Sequence, residues 1–284
     1  MCIQAISSWG LKLAAIGVLT AGLVTANIYF EINCPKVNRV AISSEKIPPE
    51  AEINILQISD FHNWHPNDRH QDLLQKIKKI SPDLIVITGD LIDRKTNNFD
   101  NVFALVKELV QINPHTFFIC GNHEWANSQT KLFLDGLSNR GVQIINNKHV
   151  VWSRNHISIN ICGVDDPSKE RANLEMATQD INTEIFTLLL AHAPEIVAEK
   201  TITRTDLVLC GHTHGGQVRL PFAGAIIVPG QGFFPSYDKG IYTIDTDTTL
   251  YIDSGLGTSV MPVRFLNRSQ ISLITVTGKK INSR

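Results

Sequence analysis

At 284 residues the chain is too long for a disulfide-stapled mini-protein and suits one large domain or two small ones. Apolar residues make up 43% and charged residues 19%, which excludes a disordered or collagen-like chain and leaves a surplus of apolar material. The 26 basic and 27 acidic side chains give a formal charge of -1, so no bulk binding of a polyanion such as DNA is expected and any phosphate recognition has to be local.

The apolar surplus lies at the start. Leu13 to Phe30 carries no charge between Lys12 and Glu31, and 18 residues at 1.5 Å each nearly cross a bilayer core. A single-pass anchor in the cell membrane, with the rest of the chain outside, is the expectation; a cleaved signal peptide ending near Ala26 competes with it. Residues 1–30 are therefore read as anchor or signal, 31–51, with Pro35, Pro48 and Pro49, as a linker, and 52–284 as one domain.

In that domain a short apolar run, a polar turn and an amphipathic helix recur. Strands are expected at Ile53 to Ile58, Leu84 to Thr88 and Thr116 to Cys120. Between them, Leu73, Leu74, Ile77 and Ile80 share one helix face, and Val102, Val106, Leu109 and Val110 another. A helix around Leu132 to Leu137, strand-turn-strand spacing from Val142 to Val164 and a helix near Asn173 to Ile181 come next. Strands at Phe186 to Ala191 and Asp206 to Cys210 follow, and after Gly215 the pattern is all-β. The economical fold is α/β, a four-layer α-β-β-α sandwich of two mixed sheets flanked by helices. Cys120, Cys162 and Cys210 each close an apolar run before a glycine, which suits core thiols rather than a zinc ribbon or disulfide framework.

The polar residues after these strands form an ordered series: Asp60-Phe61-His62, Gly89-Asp90 with Asp93, Gly121-Asn122-His123-Glu124, the lone His192, and Gly211-His212-Thr213-His214-Gly215. All five groups fall at strand carboxyl ends, where a mostly parallel sheet collects its ligands. Carboxylate, imidazole and amide oxygen without thiolate suit Mn, Fe or Zn. An extended D-x-H or H-x-H would place both side chains on one face. His65, His70, His115, His149 and His156 read as surface groups, as does Arg94.

D-x-H, G-D-x-x-D, G-N-H-E, a lone H and G-H-x-H in this order resemble the calcineurin-like metallophosphoesterases over residues 53–276. Stretches such as Ser59 to Asn63, Gly215 to Pro221 and Pro229 to Gly232 resemble the membrane-associated YkuE/YaeI-type phosphodiesterase branch. Ala193 departs from it, standing where that branch often has an arginine after the lone histidine, so no phosphate contact is expected from that position. The resemblance implies two divalent metal ions, one on Asp60, His62 and His214, the other on Asn122, His192 and His212, with Asp90 bridging them. It further implies phosphoester cleavage, of a diester in that branch, by a bridging hydroxide. His123 would contact the phosphate or protonate the leaving oxygen, and Asp93 would orient it. The alternatives are a phosphomonoesterase or pyrophosphohydrolase on a lipid-linked substrate, and a non-catalytic binding module that has lost its metals; no ligand is missing from the series.

Overall fold

A computed structural model describes residues 2–64, 69–167, 170–198, 202, 204–258 and 261–279; His65, read from sequence as a surface group, lies outside them. Helix α1 (Cys2–Asn33) is followed by strands β1 (Lys36–Ser44) and β2 (Glu52–Ile58), then α2 (Arg69–Ile80), β3 (Leu84–Ile87), α3 (Asp100–Ile112) and β4 (Thr116–Phe118). The chain continues through α4 (Asn122–Ala126), α5 (Thr130–Ser138), β5 (Gln143–Ile144), β6 (Lys148–Arg154), β7 (Ile157–Gly163), α6 (Leu174–Ala177), β8 (Phe186–Leu190) and β9 (Leu207–Cys210). Four two-residue strands, β10 (Arg219–Leu220), β11 (Gly224–Ala225), β12 (Ile227–Val228) and β13 (Gly232–Phe233), precede β14 (Gly240–Thr243), β15 (Thr249–Ile252) and β16 (Gln270–Gly278).

Two six-stranded mixed sheets result, ordered β1-β16-β2-β3-β4-β5 and β14-β15-β9-β8-β7-β6. They pack face to face because their strands carry apolar residues at alternate positions. Ile53, Ile55, Val86 and Phe117 of the first sheet meet Ile159, Leu188, Leu207 and Tyr251 of the second in one buried cluster. The opposite parity of the first sheet, Leu56, Ile58, Ile85 and Phe118, packs under α2, α3 and α5 through Leu73, Ile77, Val102, Val106, Leu109 and Phe133. On the far side of the second sheet, Leu189, Val208 and Leu250 are covered by Leu174 and Ala177 of α6 and by Ile196 of the 3₁₀ turn Pro194–Ala198. Four layers are present, and the fourth is thin: the helix expected from Asn173 to Ile181 closes after one turn.

The stretch 31–51 is not the linker that its prolines indicated. Helix α1 runs on through Asn33, and Lys36–Ser44 forms a nine-residue parallel ladder with β16 at the sheet edge. Val37 packs toward the helices, while Val40 and Ile42 pack between the sheets. That split masks the strand in a sequence, because neither face reads as continuously apolar. After Gly215, where the pattern is all-β, residues 225–228 are divided between two small hairpins, and Gly224 stands at φ 74° in the first.

Candidate metal centre

Strands β2, β3, β8 and β9 are parallel neighbours or lie across the sandwich from one another, and their carboxyl ends converge. The loops after them supply most of the predicted residues, and the loop after β4 and helix α4 supply Asn122 and His123. The convergence does not come from strand alternation, as expected for Asp60 and His62 and for His212 and His214. Strands β2 and β9 stop at Ile58 and Cys210, and all four residues adopt left-handed backbone conformations, with φ between 48° and 68°. Asp90 does so too, at φ 53°. Such conformations cost on the order of 1–3 kcal/mol each outside glycine and persist where the surroundings over-determine them. Here the amides of Asp60, His62 and Asn63 donate to the carbonyls of Gly89, Asp90 and Leu91, so the two loops lock each other. Gly121 and Gly211 serve by lacking a side chain: a Cβ at Gly121 would meet the Asp90 carboxylate, and one at Gly211 would meet Ser59 and Asp60.

The seven predicted ligands form two adjoining groups. Donor atoms of Asp60, His62 and His214 lie within 4.8 Å of one another, as do those of Asp90, His192 and His212. Asn122 Oδ1 is 3.2 Å from His192 Nε2. Asp90 Oδ2 stands between the groups, 3.2 Å from His192 Nε2 and 3.8 Å from His62 Nε2, while Asp90 Oδ1 accepts the His123 amide at 2.9 Å. His214 Nε2 lies 3.5 Å from Asp60 Oδ1.

Tautomers follow from the outer partners. His62 Nδ1 donates to Asp93 Oδ1 at 2.9 Å and His192 Nδ1 donates to the Thr88 carbonyl at 2.8 Å, which aims both Nε2 atoms into the donor groups. Those atoms face another imidazole nitrogen, His214 Nε2 at 3.1 Å and His212 Nδ1 at 3.0 Å. Burial, with the charge of His192 adding to it, pushes His212 down to about 3. Burial and the charges of His62 and Arg264 hold His214 well below the histidine range. Against burial, the Asp93 and Asp90 carboxylates raise His62 and the Asp90 charge pushes His192 up to about 10, so each facing pair holds a proton that a divalent ion would displace on binding. The donor separations match the edges of a coordination shell with bonds of about 2.0–2.2 Å. The residues present therefore fit a pair of divalent ions.

Asp93 does more than the sequence indicated. Its Oδ1 is 3.1 Å from His123 Nδ1 as well as 2.9 Å from His62 Nδ1, so one carboxylate orients two imidazoles. Burial opposes its charge, but hydrogen bonds from His123 and His62 outweigh burial and hold it well below the carboxylate range. Glu124, quoted in its motif but given no role, is fully buried and accepts from the amides of Asp90, Ile92 and Gly121 at 2.8, 3.2 and 2.8 Å. It fixes the turn that presents Asp90. Burial and the nearby Asp90 charge push its carboxyl up to about 7. Arg264, which the sequence did not single out, is fully buried and donates to the carbonyls of Ser254, Gly255, Gly257 and Asn267. Cys120, Cys162 and Cys210 are buried, His115 and His156 are exposed, and Arg94 is exposed beside the site.

Fold and donor set together define a metallophosphoesterase. Residues 53–216, more than half of the chain, match the family model of the calcineurin-like phosphoesterases, and the chain belongs to that family. It is 30% identical over 272 residues to a Bacillus subtilis protein described as the uncharacterized metallophosphoesterase YkuE, covering 92% of this chain and 94% of that one. An uncharacterized metallophosphoesterase of Aquifex aeolicus is 31% identical over 91% of this chain and 98% of its own length. A Danio rerio transmembrane protein with metallophosphoesterase domain is 27% identical over 91% of this chain and 61% of its own length.

Proposed function

We propose that the chain is a dinuclear phosphodiesterase, held in a membrane by α1 with its catalytic domain on the outer side, and that its ions are Mn, Fe or Zn. The observation that carries this reading is the convergence of carboxylate and imidazole donors in two groups joined by Asp90 Oδ2. Asp60, His62 and His214 would hold one ion, Asn122, His192 and His212 the other, and Asp90 both. When bound, such a pair supplies charge neutralisation at the phosphoryl oxygens and lowers the pKa of a water enough for attack near neutral pH.

The remaining work belongs to side chains. Asp93 holds Nδ1 of His123, which leaves Nε2 of that ring to meet a phosphoryl oxygen or to give a proton to the leaving oxygen. Because Asp93 also holds His62, the positions of the acid and of one metal ligand are coupled. Helix α1 supports the membrane reading: Trp9–Asn33 is long and apolar enough to cross a bilayer, and none of its most apolar window is buried against the domain.

The test is metal stoichiometry with hydrolysis. The full chain reconstituted with Mn²⁺ should hold two ions, cleave bis-p-nitrophenyl phosphate faster than p-nitrophenyl phosphate, and lose activity on chelation. Asp90→Asn should weaken both ions and Asn122→Ala only one. A reconstituted chain without metal, or both variants retaining two tight ions, would refute the assignment.

A further inference from the structure

A groove of about 460 Å³ shares His214 with the donor cluster and continues along Val218, Ile226, Ile227, Val228 and Met261. Its volume lies within the roughly 300–1,000 Å³ of small-molecule clefts. Its polar side chains are those of Thr213, Gln217 and His214; the first two have their donors committed, and Nδ1 of His214 is buried. The Gln217 amide donates to the carbonyls of Met261 and Val263, and the Thr213 hydroxyl to that of Asp238. A sugar or nucleobase requires free donors and acceptors on the wall, whereas a hydrocarbon chain requires their absence.

The surface around the groove is apolar as well. Phe222, at the tip between β10 and β11, is fully exposed; Phe233 and Phe234 are 71% and 76% exposed, and Ile227 and Met261 about half. Core packing does not account for the two phenylalanines in the 230–237 loop. Contiguous exposed apolar surface of this kind marks a place of contact with lipid or protein.

The end of α1 decides between these. The segment 261–269 touches both the groove and the helix. Its Phe265 pairs with the groove strand, donating to Gln217 O and accepting from the Arg219 amide, both at 3.0 Å. Two to four residues later, the Asn267 amide donates to the Glu31 carboxylate at 2.8 Å, Arg268 lies over the Phe30 ring at 4.5 Å, and the Ser269 amide donates to the Glu31 carbonyl at 2.9 Å. Glu31 is itself buried there. A helix with an uncovered apolar surface that ends on this segment brings the bilayer boundary to the mouth of the groove.

We infer that the groove is a subsite for the hydrocarbon chain of a membrane lipid whose phosphoester lies at the metal donors beside His214. The inference rests on the phosphodiesterase reading and names its substrate class. The experiment uses the full chain in nanodiscs, loaded with Mn²⁺, with methyl, butyl and octyl p-nitrophenyl phosphodiesters, so that the leaving group stays constant. Each buried methylene contributes about fourfold, and kcat/KM should rise at least a hundredfold from methyl to octyl. Ile227→Glu and Met261→Glu should each lower the octyl-to-methyl ratio at least tenfold. Hydrolysis with a flat chain-length series overturns the lipid subsite and leaves the phosphodiesterase standing; it would assign the exposed phenylalanines to a protein partner. If no ester is cleaved, the phosphodiesterase reading fails by itself and the subsite is judged by calorimetry on the Mn²⁺-loaded wild type. Octylphosphonate binding more tightly than methylphosphonate supports it, and equal affinities overturn it.

Discussion

His123 is the residue whose role the geometry separates most cleanly from metal holding, because its ring is tied to Asp93 and its amide to Asp90, while it belongs to neither ligand group of the proposed metal pair. His123→Ala should keep both ions and still lose about 10²- to 10⁴-fold in kcat. The loss should be larger for an alkyl leaving group than for p-nitrophenolate, which leaves without a proton. Equal losses on aryl and alkyl diesters, with metals intact, would make His123 a phosphate contact only. Asp253 offers a second test at this scale. It is fully buried, accepts from the Gly255 amide at 2.6 Å, from Gln270 Nε2 at 3.1 Å and from the Ser272 hydroxyl, and burial pushes it up to about 6. An unfolded aspartate titrates near 3.9. Between these values the folded chain holds a proton that the unfolded chain has lost, so this contribution to stability is full below about pH 4 and is lost as pH rises through 6, on the order of 2–3 kcal/mol in all. The Tm difference between Asp253→Asn and wild type should therefore move in favour of the variant from pH 4 to 7, and a constant difference would exclude the effect.

At the scale of elements, β1 is the part whose removal is informative. Its ladder with β16 keeps the latter strand from becoming a sheet edge, and the stretch around it buries Val40 and Ile47. Burial of two such side chains is worth about 3–5 kcal/mol, which for a domain of this size is about 10 °C in Tm. A fragment starting at Glu52 should melt about 10 °C below one starting at Glu31, or aggregate, as measured by thermal unfolding. Equal melting temperatures would return residues 31–51 to the status of a linker. Prolines at 35, 48 and 49 bracket this edge strand, and an edge is where a β-sheet tolerates them nearby.

Across the whole molecule, the helix that leaves the domain at Glu31 and the centre around Asp90 are joined through one segment: Asn267 bonds Glu31 through its amide and donates from its side chain to the His214 carbonyl at 2.6 Å. The helix is thereby attached to the wall of the site and not to a free tether. Full-length chain should sediment with membranes and resist extraction by carbonate, and protease added to intact cells should reach the domain if it faces outward. An intact chain recovered only from the soluble fraction would exclude the anchor.

The series of proposed ligands was legible because each member closely follows the end of an apolar strand, and Asp90, Asn122, His212 and His214 also stand beside a glycine. The two-sheet architecture was legible for the same reason, since alternation and helical spacing are local properties of sequence. Tertiary structure alone decided how these side chains meet. Asp60, His62, Asp90, His212 and His214 take left-handed conformations that are strained outside glycine, and those of the first two are held by backbone hydrogen bonds to a loop distant in sequence. The dual hold of Asp93 on two histidines, the support of Asp90 by Glu124, the buried Arg264 and the edge strand β1 likewise depend on contacts made across the fold. Sequence determined which chemical groups were present and at which strand ends; packing determined their orientation, because direction at a loop is set by what closes over it and not by the residues before and after.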